Sequence, residues 1–357
     1  MKNISFVLII LIFASGVSAE VTKTGTTAGT FLNIDVGARA VSMGSAYCTL
    51  AEDVSALYWN PAGIARLDRP EALFTHTQWI ADVSFNYVGV ALPLGTAGTL
   101  GISATFLTMD DMEVTTIDYP DGTGEMFSAG NTAFGLTYAR ELTDRFSIGM
   151  SAKYAEEKIY NSKASAIAFD IGTIFDTQLA GLKIAMSIAN YGTKMQIQGR
   201  DLITQKDINE QITGNNPNIN AMLSTDKFDL PLLFRFGISI DALQNVDGNS
   251  LIIAIDALHP NDNVESLNIG VEYAFNDLVF LRAGHSNLGR YDKEVSDVGD
   301  ELVTESKFGT AEGYEGGLSF GAGLKYTLSG LRMSFDYAYR DFGRLNDIQM
   351  FTIGLAF

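Results

Sequence analysis

Residues 331–340, LRMSFDYAYR, show how this chain folds. A period of two over such a length indicates a β-strand with one apolar and one polar face. The apolar face is large and aromatic, whereas the polar face mixes small residues with single charges. That division is typical of a barrel strand with lipid outside and a crowded or wet lumen inside. The outward set is Leu331, Met333, Phe335, Tyr337 and Tyr339, opposed by Arg332, Ser334, Asp336, Ala338 and Arg340.

The same alternation recurs along the chain after about residue 70, for example in Asn131–Arg140, Phe146–Ala155 and Leu318–Leu328. Strands of about 9–11 tilted residues cross a bilayer. The sequence therefore predicts an all-β fold, a 14-stranded antiparallel transmembrane β-barrel over residues 71–357. The predicted strands are 71–79, 85–93, 99–109, 131–141, 146–157, 164–176, 182–190, 230–241, 250–258, 265–274, 278–284, 315–328, 331–340 and 348–357.

The lengths of the connections support this count independently. Bacterial barrels alternate short periplasmic turns with longer external loops. The long predicted connections, 110–130, 191–229 and 285–314, all fall in the same alternate set. An even number of strands with both barrel termini on the periplasmic side is consistent with that arrangement.

Charges of both signs lie on the predicted inward face. A selective ion pore would show a ring of one sign, so mixed signs predict ion pairs that hold a structure inside the lumen. The predicted lumen charges are Lys153, Asp170, Arg235, Asp256, Glu272, Arg282, Arg332 and Asp336.

Both ends of the chain carry targeting features. Residues 1–19 combine a positive start, an apolar run and small residues at Val17-Ser18-Ala19, which predicts a signal peptide cleaved near Ala19-Glu20. At the other end, MFTIGLAF places Phe351, Ile353, Leu355 and Phe357 on one face. This aromatic ending resembles the signal read by the outer-membrane barrel-assembly machinery. The predicted location is the bacterial outer membrane, with its lipid as a partner.

Composition excludes several classes of function. The hydrophobic fraction is 46%, and only 18% of residues are charged, below the roughly 25% of soluble domains. The net charge of −18 argues against binding nucleic acid. Cys48 is the single cysteine, and three scattered histidines do not form a Cys/His metal site. His76, His259 and His285 accompany no nucleophile motif. No catalytic residue, metal or cofactor is predicted.

Residues 20–70 lack the strand pattern. They contain turns at Gly37, Arg39, Met43 and Gly44, followed by a helix-capable run from about Ala46 to Tyr58. Proline disfavours helix in the residue before it, so Asn60 is expected to end that helix and to turn or cap through its side chain. The segment is too polar for lipid and too short to form its own core. We therefore expect residues 20–70 to form an N-terminal hatch inside the lumen, hereafter the plug.

This segment resembles the N-terminal signature of the PorV/PorQ family of outer-membrane barrels, which is itself similar to the FadL fatty-acid transporters. The likeness is densest from Ala51 to Gly63 and includes Trp59, Asn60, Pro61, Ala62 and Gly63, with Asn60-Pro61-Ala62 corresponding to the Asn-Pro-Ala element of the FadL hatch. Further matches are Phe31-Leu32, Gly37-Ala38-Arg39-Ala40, Met43-Gly44 and Ala46-Tyr47.

The resemblance implies two alternative roles, both non-enzymatic. The PorV likeness implies type IX protein secretion or surface attachment, with secretion-system partners or secreted cargo bound by the external loops. The FadL likeness implies passive transport of a hydrophobic small molecule, such as a long-chain fatty acid or an aromatic compound. We expect the first role, since loops on a rigid barrel commonly carry recognition.

Overall fold

A computed structural model describes residues 25–207, 218–244, 246, 248–288, 294–298, 301–305, 317–343, 345 and 347–357, with backbone alone for 294–298 and 301–305. The predicted signal peptide, residues 1–19, lies outside the described residues. No helix in the described part of the chain is long and apolar enough to cross a membrane.

Fourteen antiparallel strands close into a barrel, which confirms the predicted fold class. Each strand pairs with its sequence neighbours, and the last strand pairs with the first through Glu71↔Ala356. The strands are β1 Glu71–Gln78, β2 Ser84–Pro93, β3 Thr99–Thr108, β4 Ala129–Thr143, β5 Phe146–Ile159, β6 Ser162–Asp176, β7 Lys183–Gly192, β8 Leu233–Asp241, β9 Ser250–Pro260, β10 Ser266–Phe275, β11 Val279–Leu288, β12 Leu318–Leu328, β13 Leu331–Arg340 and β14 Ile348–Ala356.

The two ends of the barrel differ as the connection lengths predict. Connections 109–128, 193–232 and 289–317 lie at one end, hereafter the loop end. The opposite end, hereafter the turn end, carries 94–98, 144–145, 177–182, 242–249, 276–278 and 329–330. Short strand pairs extend from the loop end: Met112–Glu113 with Met126–Phe127, Ile203–Lys206 with Ile219–Met222, and Glu294–Val298 with Glu301–Glu305; Gln198–Gly199 pairs with β6.

The strands present apolar side chains outward and bury small or charged ones inward, as predicted. Ile102, Leu136 and Phe320 are about half exposed on the outer face, whereas Asp256 and Glu272 are 0% and 1% exposed on the inner face. This is the reverse of a soluble sandwich, whose apolar side chains lie inside. An outer wall of this kind is suited to lipid.

Two strand starts come three residues later than predicted. Strand β8 begins at Leu233 and not at 230, because Leu230 is buried against the plug and Pro231 has no backbone N–H for the ladder. Strand β12 begins at Leu318 in the described part of the chain, and residues 315–316 of the predicted strand lie outside it. Strand β7 contains a bulge at Asn190, whose φ is 63°, and this bulge directs the buried Asn190 side chain into the lumen.

The plug consists of short pieces. Two α-helices, α1 Ala38–Ser42 and α2 Ala56–Trp59, are joined by turns, and 3₁₀ segments occupy Thr30–Asn33 and Pro61–Arg66. Further 3₁₀ turns lie at Ile80–Asp82, Gly95–Ala97 and Arg200–Leu202.

The predicted helix from Ala46 to Tyr58 is wrong except for its last turn. The backbone N–H groups of Tyr47 and Cys48 both donate to Asp256 of β9, at 2.8 Å. Because the barrel wall supplies these acceptors, the segment does not need a continuous helix to satisfy its amides. The predicted turn at Arg39 is also wrong, since Arg39 lies within α1.

Candidate functional site

The plug crosses the lumen from the loop end to the turn end. At the loop end, Ala28 N–H donates to the carbonyl of Asp229 at 2.9 Å, and Gly29 N–H donates to Glu157 at 3.1 Å. At the turn end, Glu52 binds Lys183 at 2.7 Å and Arg66 at 2.8 Å. Between these ends the plug forms the centre of the main buried apolar cluster.

Trp59, Asn60 and Pro61 form the transition from α2 to the following 3₁₀ segment. Trp59 is 1% exposed, and its indole N–H donates to the carbonyl of Val36 at 2.8 Å. Asn60 is extended and ends α2, and its Oδ1 accepts the N–H of Ala62 at 3.2 Å. Its Nδ2 donates to the carbonyl of Cys48 and to that of Thr173 on β6, both at 3.1 Å. Asn60 therefore joins two parts of the plug to the barrel wall.

Glycines of the barrel wall lie opposite this turn, at the points where the wall and the plug come closest. A Cβ atom on Gly172 would lie 1.9 Å from Asn60 Oδ1, and one on Gly149 would lie 2.3 Å from the carbonyl carbon of Pro61. Gly63 is similarly close to the Ala51 carbonyl oxygen within the plug. Backbone and wall thus approach more closely than any larger residue would allow. The Asn60-Pro61-Ala62 turn packs against the inner face of β5 and β6, where Gly149 and Gly172 leave room for it.

A buried ionic chain connects α1 to three barrel strands. Arg39 Nη2 lies 2.7 Å from Glu272 Oε1 on β10, and Arg282 Nε on β11 lies 2.5 Å from Glu272 Oε2. Arg282 Nη1 then lies 2.6 Å from Asp336 Oδ1 on β13. Three of the predicted lumen charges, Glu272, Arg282 and Asp336, therefore form one chain of ion pairs. Glu272 joins this chain to Arg39 of the plug.

The remaining predicted lumen charges fall at different places. Lys153 pairs with Asp170 at 2.8 Å and donates to Asn190. Arg235 stacks on the Trp59 ring, with its guanidinium carbon 5.1 Å from the ring centroid, a cation–π geometry. Arg332 lines a cavity at the turn end.

The turn residues of the plug also contact the wall. Gly37 (φ 89°) precedes α1, and Gly44 (φ 62°) follows it. Gly44 N–H donates to Ser319 Oγ at 3.0 Å. Met43 is fully buried, and its carbonyl lies against β10 and β11. These positive φ angles fit the glycines that the sequence places there.

Several contacts of the plug were not predicted. Asp35 binds Arg340 of β13 at 2.5 Å. Burial raises the pKa of the Cys48 thiol and so favours its protonated form. The Ser187 hydroxyl on β7, which donates to the carbonyl of Trp59 at 3.1 Å, is a neighbour of this thiol. The sequence does contain a signal for the ion pairs. Asp35 and Glu52 lie in a segment expected inside the lumen, where basic side chains of the barrel wall could pair with them.

Two cavities adjoin the plug. The loop-side cavity has a volume of about 20 Å³ and is lined by Phe31, Leu57, Tyr58, Tyr87 and Lys153, among others. The turn-side cavity has a volume of about 140 Å³ and is lined by Arg39, Val54, Glu71, Lys325 and Arg332, among others. Four aromatic side chains line the first cavity, and eight charged side chains line the second.

The predicted assembly residues lie on β14 and at the chain end. Phe351, Ile353 and Phe357 are 40%, 47% and 62% exposed on the outer face, and Leu355 is half-buried. His76 hydrogen-bonds Asn86 at 2.8 Å. Within the described ranges, no group of three or more His, Cys, Asp or Glu side chains could hold a metal ion.

Comparison with known proteins identifies the fold. A sequence profile of the "Uncharacterised protein family (UPF0164)" matches residues 11–155. A comparison with curated proteins finds no match. The solved structure of the CymD monoaromatic hydrocarbon channel matches with a TM-score of 0.51 and 10% identity, covering 90% of this chain and 97% of that one. The toluene transporter TbuX of Ralstonia pickettii matches with a TM-score of 0.50, 10% identity and the same coverage. The chain therefore shares the closed β-barrel fold of these two proteins.

Proposed function

We propose that this protein is a non-enzymatic outer-membrane barrel that admits a small hydrophobic molecule past a movable plug. The observation that carries the proposal is the way in which the plug is held. It fills the lumen, yet its ties to the wall are side-chain pairs and hydrogen bonds that can separate, such as Asp35–Arg340 and Glu52–Lys183. The names of the two similar structures, a monoaromatic hydrocarbon channel and a toluene transporter, support small aromatic molecules as the cargo.

The cavities support the same proposal. Aromatic side chains line the loop-side cavity, where a hydrophobic molecule entering from outside would first contact the plug. The turn-side cavity is less favourable for such a molecule, because eight charged side chains line it. The described conformation is therefore the closed state, and passage requires the plug to shift.

A disulfide between plug and wall tests this requirement. Ser187 on β7 contacts the plug through the carbonyl of Trp59 and is a neighbour of Cys48. Ser187→Cys therefore introduces a second thiol near Cys48, and an oxidising periplasm favours the bond. We expect toluene influx into proteoliposomes to fall to the level of empty liposomes when the bond is formed, and to recover on reduction.

Ser187→Ala, which cannot form the bond, is the matched control and should admit toluene with or without reductant. Equal influx through the oxidised and the reduced Ser187→Cys protein would show that the plug does not move away from β7 during passage.

A second role, in protein secretion or surface attachment, has one feature in its favour. The hairpin formed by Ile203–Lys206 and Ile219–Met222 extends from the loop end, with Met222 and Leu223 64% and 57% exposed. Exposed apolar side chains of this kind can bind partner proteins. About half of the predicted long loop 285–314 lies outside the described residues.

Mass spectrometry of detergent-purified protein tests the second role. A secreted protein should accompany the intact chain and be lost from a Met222→Ser, Leu223→Ser variant. Recovery of the same proteins with both forms would contradict a role for this hairpin.

A further inference from the structure

We propose that Val54 and Leu57 form the constriction of the passage, which runs along the inner wall of β1–β3. This inference rests on the proposed transport function and gives it a route. Leu57 lines the loop-side cavity, and Val54 lines the turn-side cavity. The two residues are three positions apart in the chain, and the N–H of Leu57 donates to the carbonyl of Val54 at 3.2 Å. They therefore lie between the two cavities.

Val54 and Leu57 pack tightly against glycines of the barrel wall. A Cβ atom on Gly101 of β3 would lie 2.3 Å from Leu57 Cδ2, and one on Gly89 of β2 would lie 2.7 Å from Val54 Cγ1. Val54 and Leu57 are 1% and 2% exposed. The two side chains therefore close the space between plug and wall.

The bonding at this point differs from that elsewhere on the plug. Asn60, Arg39 and Asp35 are joined to the wall by hydrogen bonds or ion pairs. Val54 and Leu57 have no polar side-chain atoms, so packing alone seals this side. Apolar constrictions are a known means of gating a pore. A small shift of the plug, or a loss of side-chain volume, would join the two cavities.

Leu57→Ala tests the constriction, and Leu50→Ala is its matched control. Leu50 is also a buried leucine of the plug, at 6% exposed, but it lines neither cavity. We expect Leu57→Ala to raise toluene influx into proteoliposomes several-fold over the unmodified protein, and Leu50→Ala to leave it unchanged. If Leu57→Ala does not fold, Leu57→Val makes the same comparison with a smaller loss of volume.

Combining Leu57→Ala with the Ser187→Cys disulfide separates this inference from the proposed function. If the passage runs past Leu57, influx should persist in the oxidised double variant, because the missing side chain opens the route without movement of the plug. An equal rise in Leu57→Ala and Leu50→Ala, or no rise in either, would overturn the inference. Absence of influx through the unmodified protein, with influx through Leu57→Ala, would retain the constriction and reject the transport function.

Discussion

Replacement of Glu272 by alanine is expected to destabilise the folded barrel by about 3–5 kcal/mol, because it removes the buried carboxylate that Arg39 and Arg282 share. Glu272 is 1% exposed. Its two oxygens accept from Arg39 of the plug and Arg282 of β11, at 2.5–2.9 Å. After the substitution Arg282 keeps Asp336, whereas Arg39 keeps only a contact with Asp53 at 3.7 Å and a hydrogen bond to Tyr47.

Unfolding in urea, followed by the change in gel mobility between folded and unfolded barrel, measures this loss. The control is Glu156→Ala, which breaks an exposed pair with Lys163 on the same barrel and should cost less than about 1 kcal/mol. Similar midpoints for the two variants would mean that the ionic chain does not stabilise the lumen.

A paired substitution identifies the source of the loss. Arg39→Met combined with Glu272→Met removes both charges and retains side-chain volume. Removing a whole buried pair is often nearly neutral, whereas removing one partner is costly. The double variant should therefore be more stable than Glu272→Ala.

The barrel could be predicted from the sequence because its signal is local and repeated. In β13, Leu331–Arg340 carries its inward and outward sets within ten positions, and the observed strand has the predicted bounds. The lengths of the connections then distinguish the two ends of the barrel, because the long loops all lie at one end. Neither signal requires knowledge of which distant residues meet.

The interior of the plug could not be predicted in the same way, because its structure depends on distant contacts. Tyr47 and Cys48 leave the expected helix since Asp256, far along the chain, accepts their N–H groups. The sequence identified Arg39, Glu272, Arg282 and Asp336 as separate candidates but not as one chain. Their pairing follows from the way the strands and the plug are placed around the lumen.

The contacts of the wall glycines with the plug could not be predicted either, because they also join distant parts of the chain. Small residues on the inward face were visible in the sequence, as in Ser147, Gly149 and Ser151. That Gly149 and Gly172 face Asn60 and Pro61 is apparent only once the plug is placed. The Asn60-Pro61-Ala62 motif and these two glycines are more than eighty residues apart in the chain.

Gly172→Ala is expected to displace the plug from the wall and to open the barrel. The added methyl group would lie 1.9 Å from Asn60 Oδ1, so Asn60 must withdraw. Its hydrogen bonds to Cys48 and Thr173 are then lost. At about 1–1.5 kcal/mol for each buried hydrogen bond, the loss is roughly 2–3 kcal/mol. The ratio of docked to undocked plug should fall about thirtyfold to a hundredfold.

Two measurements report the displaced plug. Influx of toluene into proteoliposomes should rise, and the Cys48 thiol, 0% exposed in the described conformation, should become reactive to maleimide without denaturant. Gly354→Ala is the matched control, because it adds the same methyl group to the inner face of β14. There the group would meet only the Ser334 side chain, 2.4 Å from its hydroxyl oxygen, and that hydroxyl can rotate away. Protection of Cys48 in both variants would show that the wall yields to the methyl group and that Asn60 keeps its place.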